Sequence, residues 1–428
     1  MGRKKVRIAL LLLLMLVISR AMWMRLQPPA PASIMRAVPI GLVPQAIAVD
    51  QRTHRALVVV NGSLEGGSGR VDVFNTRNGA LLRTVPVGIG PWAIAVDEQV
   101  AHAFVIDPGL NAAGHTVSML DTGSGRTLRT ISVPKDPIAL AISERTARVF
   151  VAHQVNDTIS VLDALSGTLL RTTRVGKSPM GIAIDEQTSR VFVSNQASHS
   201  VSMLDAATGA VVTTVLMSGG WPSSPLVDSP VGRVFVATQA IDTRGNPIGP
   251  STLHVLDARS GAERTTFILS RNAGPVAVDE RTGRVIIVQT PPTQPNGRGS
   301  LNGSVSLLDP RTGRIVHSTN IGTDIGTVVI DELRQHILVT SRDALSVLDA
   351  RSGTILRTIT TGGGTGNVAL DQKTGIAFVS GEKVPNQDVF GWLRIRARQL
   401  FLPDNAHTVD QQALPTGIVD VVDTATHG

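Results

Sequence analysis

Residues Pro179–Asp185 (PMGIAID), Arg190–Asn195 (RVFVSN), Ser200–Asp205 (SVSMLD) and Ala210–Leu216 (AVVTTVL) follow one another with only turn-forming residues between them. Each run is short and rich in Val, Ile, Thr or Phe, the signature of a β-strand. The whole unit recurs along the chain. Counterparts of its first run are Pro44–Asp50, Pro91–Asp97, Pro137–Ser143, Pro222–Asp228, Ala273–Asp279, Ile325–Asp331 and Thr365–Asp371, spaced 40 to 52 residues apart. Counterparts of its third run end at Asn75, Asp121, Asp163, Asp257, Asp309, Asp349 and Asp423. A period of this length built from four strands predicts the blade of a β-propeller, repeated eight times over residues 34–424.

The punctuation carries its own chemistry. An Asp-x-x-Ser/Thr-Gly sequence follows the third run at Asp121–Gly125, Asp163–Gly167, Asp205–Gly209, Asp257–Gly261, Asp309–Gly313 and Asp349–Gly353. The Asp carboxylate is suited to accept backbone N–H bonds as the turn opens, and the Gly to take the positive φ that closes it. A catalytic or metal-ligating role for these aspartates is set aside because the same turn residues recur with them. The ends also match. The eighth unit has three runs and stops, whereas Ile34–Gly41 (IMRAVPIG) reads like Leu81–Gly88 (LLRTVPVG), a fourth run with no preceding three. The N-terminal strand is therefore expected to complete the last blade, leaving no open edge.

Arg190–Asn195 followed by Val201–Asp205 and Thr208–Gly209 resembles the YVTN-type propeller repeat of YncE-like proteins. Phe104, Phe150, Phe192, Phe235 and Phe378 stand where that repeat has Tyr, and Ser194 stands for its Thr. The resemblance implies an exported binding or interaction module with no fixed catalytic set. Members commonly have seven blades; the count here is eight, with the fifth unit the weakest.

Composition narrows the function. The chain has 428 residues, 17% charged and 42% hydrophobic, with no Cys and no Tyr. Without Cys there are no disulfides, thiolate metal sites or cysteine nucleophiles. The net charge of +7 arises almost wholly from Arg3, Lys4, Lys5, Arg7, Arg20 and Arg25; subtracting these 6 from 40 leaves 34 basic against 33 acidic residues. No polyanion-binding stripe remains, and no nucleic-acid partner is expected. Basic residues 2–7, the apolar run 8–18 and the small residues Ser19 and Ala21 predict a signal peptide over 1–26, or an uncleaved anchor. A Pro/Ala spacer covers 27–33. Either way the propeller is expected to be exported, periplasmic or at the cell surface, and monomeric.

Length variation is confined to one connection. From the start of the second run to the end of the third, the eight units use 20, 19, 15, 15, 24, 25, 13 and 47 residues. In an up-and-down blade this loop and the entry to the next blade leave on one face, where binding is expected. The candidate ligand residues there are Trp92, Lys135, Lys177, Trp221 and Arg271. The tryptophans are suited to stacking on a sugar or apolar ligand, or to packing between blades; the lysines to an anion, or simply to solvent. His153 and His199 read as surface loop residues. No metal, cofactor or catalytic residue is assigned. The enzymatic alternative is a propeller of the quinoprotein or amine dehydrogenase kind, or of the lactonase kind. The first is weakened because Leu128–Thr130 and Leu356–Thr358 lack a docking Trp after the turn. Finally, 381–417 is an insertion whose segment 388–401 changes to helical periodicity. It predicts a short amphipathic helix, with Phe390, Trp392, Arg394, Arg396 and Arg398 as candidate contacts for a membrane interface or a partner.

Overall fold

The computed structural model describes residues 34–40, 44–62, 67–109, 115–242, 248–270, 273–289, 303–342, 344–361, 364–383 and 416–424. These form eight antiparallel sheets whose strands follow chain order, except in the last. Blade 3 is typical: Pro137–Ser143, Arg148–His153, Thr158–Asp163 and Leu169–Arg174 run from the axis outward. Among the described residues there is no α-helix, only a single 3-10 turn at Ser229–Val231.

The period-two alternation of each strand explains the ring. In Arg55–Val60, Ala56, Val58 and Val60 pack against Ile376, Phe378, Val419 and Val421 of blade 8, while Leu57 and Val59 pack against Ala103 and Val105 of blade 2. A strand buried on both faces must be apolar along its buried length, as this one is from Ala56 to Val60. Eight such clusters occur, one at each boundary between neighbouring blades. The five phenylalanines of the second strands are fully buried in them.

Closure occurs as the matching ends predict. Ile34–Pro39 pairs antiparallel with Thr416–Asp423, with Ala37 opposite Asp420 and Pro39 opposite Ile418. Ile40 donates its N–H to Gly417 at 2.9 Å, and its side chain is buried between blades 8 and 1. Blade 5 is the irregular one. Its first strand is split into Trp221–Pro222 and Leu226–Asp228, because the run carries Pro222 and Pro225, which cannot donate ladder bonds.

The two faces of the ring differ in kind. One carries only turns. There Asp163 accepts N–H bonds from Leu165 and Ser166 at 3.2 and 2.8 Å, and Gly167 adopts φ 68°. Asp205, Asp257 and Asp349 repeat this cap. Closer to the axis, the buried Asp50 caps Arg52 and Thr53, each at 2.9 Å. The next residue links neighbouring blades: Glu98 accepts from Gln51, Glu144 from Glu98, and Glu186 from Glu144. Burial pushes the Glu144 carboxyl up, helped by the charges of Asp97, Glu98 and Glu186. The other face carries the loops between second and third strands and the entries into each first strand.

Candidate functional site

The topology brings the sequence-predicted residues to the loop face in consecutive blades. Trp92 immediately precedes the first strand of blade 2, and Trp221 opens that of blade 5. Between them, Lys135 and Lys177 lie two residues before the first strands of blades 3 and 4. Around the mouth the order is therefore Trp, Lys, Lys, Trp. Arg271, and the insertion residues Phe390, Trp392, Arg394, Arg396 and Arg398, lie outside the described residues, as do 1–33.

The backbone around these side chains is fixed and the side chains are free. Trp92 donates its N–H to Ile106 at 3.0 Å beside the buried Pro91, yet its side chain is 56% exposed. Trp221 pairs with Gln239 in the sheet and is 40% exposed. Neither residue is buried in the seam between blades. Lys135 and Lys177 are exposed, and neither forms an ion pair among the described residues.

The two lysines share one local geometry. Each is followed by a residue in the left-handed region, Asp136 at φ 58° and Ser178 at φ 55°, and then by a buried Pro. Outside glycine this conformation is strained and needs support. Gln154 donates its N–H to the Asp136 carbonyl at 3.1 Å, and Gln196 donates to Ser178 at 2.8 Å. Asp157 accepts the Ser178 N–H at 2.8 Å, and the Gln154 amide reaches the Ser178 hydroxyl at 3.1 Å. Ser198 accepts the Lys177 N–H at 3.0 Å. The short loops 154–157 and 196–199 thus lock the entry segments of both blades and stay low. The corresponding connections of the Trp-bearing blades, 108–115 and 240–251, are longer in sequence. Blade 7 also has a short loop, but its entry residue is Asp324, held by Arg342 at 2.5 Å.

A buried polar layer lies beneath this face, and sequence reasoning missed it. The sixth position of the second strand is Asp107, His153, Asn195 and Thr238 in blades 2 to 5, all buried, and the half-buried Gln289 in blade 6. His153 is fully buried, which corrects its reading as a surface loop residue; His199 is exposed as expected. His153 belongs to the strand, where its Nε2 lies 2.9 Å from the Ser160 hydroxyl. Burial lowers its pKa to about 4. Asp107 accepts hydrogen bonds from the hydroxyls of Ser118 at 2.7 Å and Thr116 at 3.2 Å and from the Gly88 and Ser118 backbone, but burial outweighs them and its pKa rises to about 6. Asn195 donates to Ser200 and Ser202 at 3.1 and 3.0 Å in the same arrangement. The signal that could have found this layer is the alignment column itself, polar in blades 2 to 6 after an apolar strand. Among the described residues no group of three or more His, Cys, Asp or Glu side chains could hold a metal ion.

Fold and face together define an eight-bladed β-propeller with a turn face and a loop face. No known family model matches the chain, and no curated protein does. Solved structures do. BamB from Moraxella catarrhalis superposes with a TM-score of 0.55 at 16% identity, covering 92% of this chain and 99% of that one. The computationally designed Ika8 protein gives 0.61 at 16% identity over 82% and 96% of the two chains. Hydrazine synthase from Kuenenia stuttgartiensis gives 0.55 at 15% identity over 68% and 92%. At these identities the likeness is one of fold.

Proposed function

We propose that this chain is an exported, non-catalytic binding propeller of the YVTN type, similar to YncE-like proteins, that takes its ligand or partner on the loop face. The observation that carries the reading is the contrast between the faces. The turn face repeats one hydrogen-bonded motif from blade to blade. The loop face holds all the length variation and, among the described residues, two exposed tryptophans and two lysines without an ion pair on braced backbone. Supporting evidence for export is the basic and apolar order of residues 2–18.

Blade 3 supplies a matched pair of probes. Val155 on the loop face is 72% exposed, and Leu165 on the turn face is 65% exposed. Because the chain has no Cys, Val155→Cys and Leu165→Cys each create a single attachment point for a photo-crosslinker. Cross-linking in the native envelope should give a discrete adduct from position 155 and none from 165. A discrete adduct from 165 alone would overturn the assignment of the functional face.

A further inference from the structure

The outermost strand of every blade presents a ladder edge to solvent, and an unguarded edge is a template for another strand. Seven of the eight edges are guarded. Each of those strands holds at least one Arg, and the edges of blades 8 and 1 add Pro39 and Pro86. The exception is blade 4, whose outer strand Val211–Leu216 (VVTTVL) has neither a charged residue nor a proline. Its hydrogen bonds show which backbone groups are free to pair. Met217 donates its N–H inward to His199 at 2.7 Å. By the antiparallel alternation Val215 and Thr213 also face inward, while Thr214 and Leu216 turn their N–H and C=O groups outward. Both residues are exposed, and Leu216, at 78%, is more exposed than any other large apolar side chain among the described residues. Pro39 and Pro86 occupy the register position of Leu216 in their own blades. The outward donor missing from those two edges is therefore present in this one.

We propose that this edge is the interface with a second copy of the chain, paired antiparallel about a two-fold axis at Thr214, in place of the monomer expected from the sequence. The strand is complementary to itself. The axis sets Thr214 opposite its own mate and Leu216 beside Val212, a threonine pair flanked by two apolar pairs. On the other seven edges the same axis would gather at least two guanidinium groups on one short strand pair, where they repel each other. The strands of a blade run along the ring axis, so antiparallel pairing sets two rings side by side with their loop faces pointing opposite ways. Both loop faces stay open, and the proposal stands apart from the binding role assigned to them. One strand pair buries little area, so the dimer is weak and depends on concentration.

The test is sedimentation velocity of the full chain over a concentration series. The parent should pass from monomer to dimer mass. Leu216→Pro copies the edges of blades 1 and 8, and Thr214→Lys sets two ammonium groups at the axis; each should stay monomeric and keep the melting temperature of the dilute parent. Thr172→Lys makes the same change at the equivalent position of blade 3 and should dimerise like the parent. Thr214→Cys, in a chain with no other Cys, reports the geometry. The Cα atoms of a hydrogen-bonded antiparallel pair lie about 5.5 Å apart, within disulfide reach. Mild oxidation should therefore give a covalent dimer from Thr214→Cys and none from Thr172→Cys. A parent that stays monomeric, self-association unchanged in Leu216→Pro and Thr214→Lys, or equal cross-linking from the two cysteines would each overturn the proposal. A monomeric parent whose photo-crosslinker-labelled Thr214→Cys gives an adduct with a different envelope protein would also overturn it, and would assign the edge to a foreign strand.

Discussion

Asp107 is a carboxylic acid placed where its charge is unwelcome. Its pKa is raised to about 6 from 3.8 because burial outweighs the hydrogen bonds it receives from the Ser118 and Thr116 hydroxyls and from the Gly88 and Ser118 backbone. A group whose pKa is raised on folding favours the folded state below its unfolded value, and that contribution is lost as pH climbs through the folded value. At pH 7 the ionised form therefore opposes folding by about 2–3 kcal/mol. Blade 4 shows the remedy at the equivalent position, where Asn195 donates to two serine hydroxyls. Asp107→Asn should raise the melting temperature at pH 7–8, and the gain should shrink to nothing by about pH 4. A constant offset across pH would refute this assignment. His153 slopes the other way in both proteins. Its pKa is depressed to about 4, so stability falls as pH drops from 6.5 toward 4, and the difference between variant and parent isolates Asp107.

The elements are held by their turns and by the closing strand. Gly209 sits at φ 68°, and a Cβ there would lie 2.5 Å from Val161 of the preceding blade. Gly232 has φ 65° but nothing within 4 Å of such a Cβ. Gly232→Ala should thus lose about 1–2 kcal/mol from left-handed strain alone. Gly209→Ala should lose that and a further ~1–3 kcal/mol from forced repacking between blades; equal losses in urea titration would refute the contact. Deleting residues 34–40 removes the partner of Thr416–Asp423 and bares a ladder edge. Truncating the buried Ile40 side chain alone is worth roughly 2–4 kcal/mol, so the deletion should unfold at markedly lower urea and self-associate. Retention of the full-length midpoint would contradict closure.

Much of this was legible in the sequence, for physical reasons. The turn aspartates and glycines are read correctly because one residue type answers one backbone need at every recurrence. The phenylalanines read from the sequence only as counterparts of the repeat's Tyr; their full burial follows from a second strand packed on both faces. His153 and Asp107 are misjudged or passed over because they stand at the last position of a strand, where polarity looks like the start of a loop. They are covered by the third strand and by the entry segment before the first strand, around Gly88 for Asp107 and Pro134–Lys135 for His153, which no local pattern encodes. The exposure of Trp92 and Trp221 was likewise undecided until the entry segments were placed, since a Trp beside a Pro fits either a mouth or an inter-blade seam.

At the scale of the whole molecule, the ring separates stability from recognition. The turn face is a belt of capped turns, with glutamate-to-backbone bonds joining blades 1 to 2, 2 to 3, 3 to 4 and 6 to 7. The loop face can vary in length because its loops leave the blades after the inter-blade packing is complete. Closure also fixes direction. Ile34 starts the outer strand of blade 8 at the turn face, whereas Lys383 and Thr416, which bracket the insertion, lie at the loop face. The chain therefore enters the ring on the turn face and brackets the insertion on the loop face. Amide hydrogen exchange on the full chain, free and in its native association, bears most directly on the division of faces. Protection should rise in 134–137, 154–157, 176–179 and 196–199 and stay unchanged in the turns 163–167 and 205–209. Protection confined to those turns, with the four loop-face segments unchanged, would contradict the account.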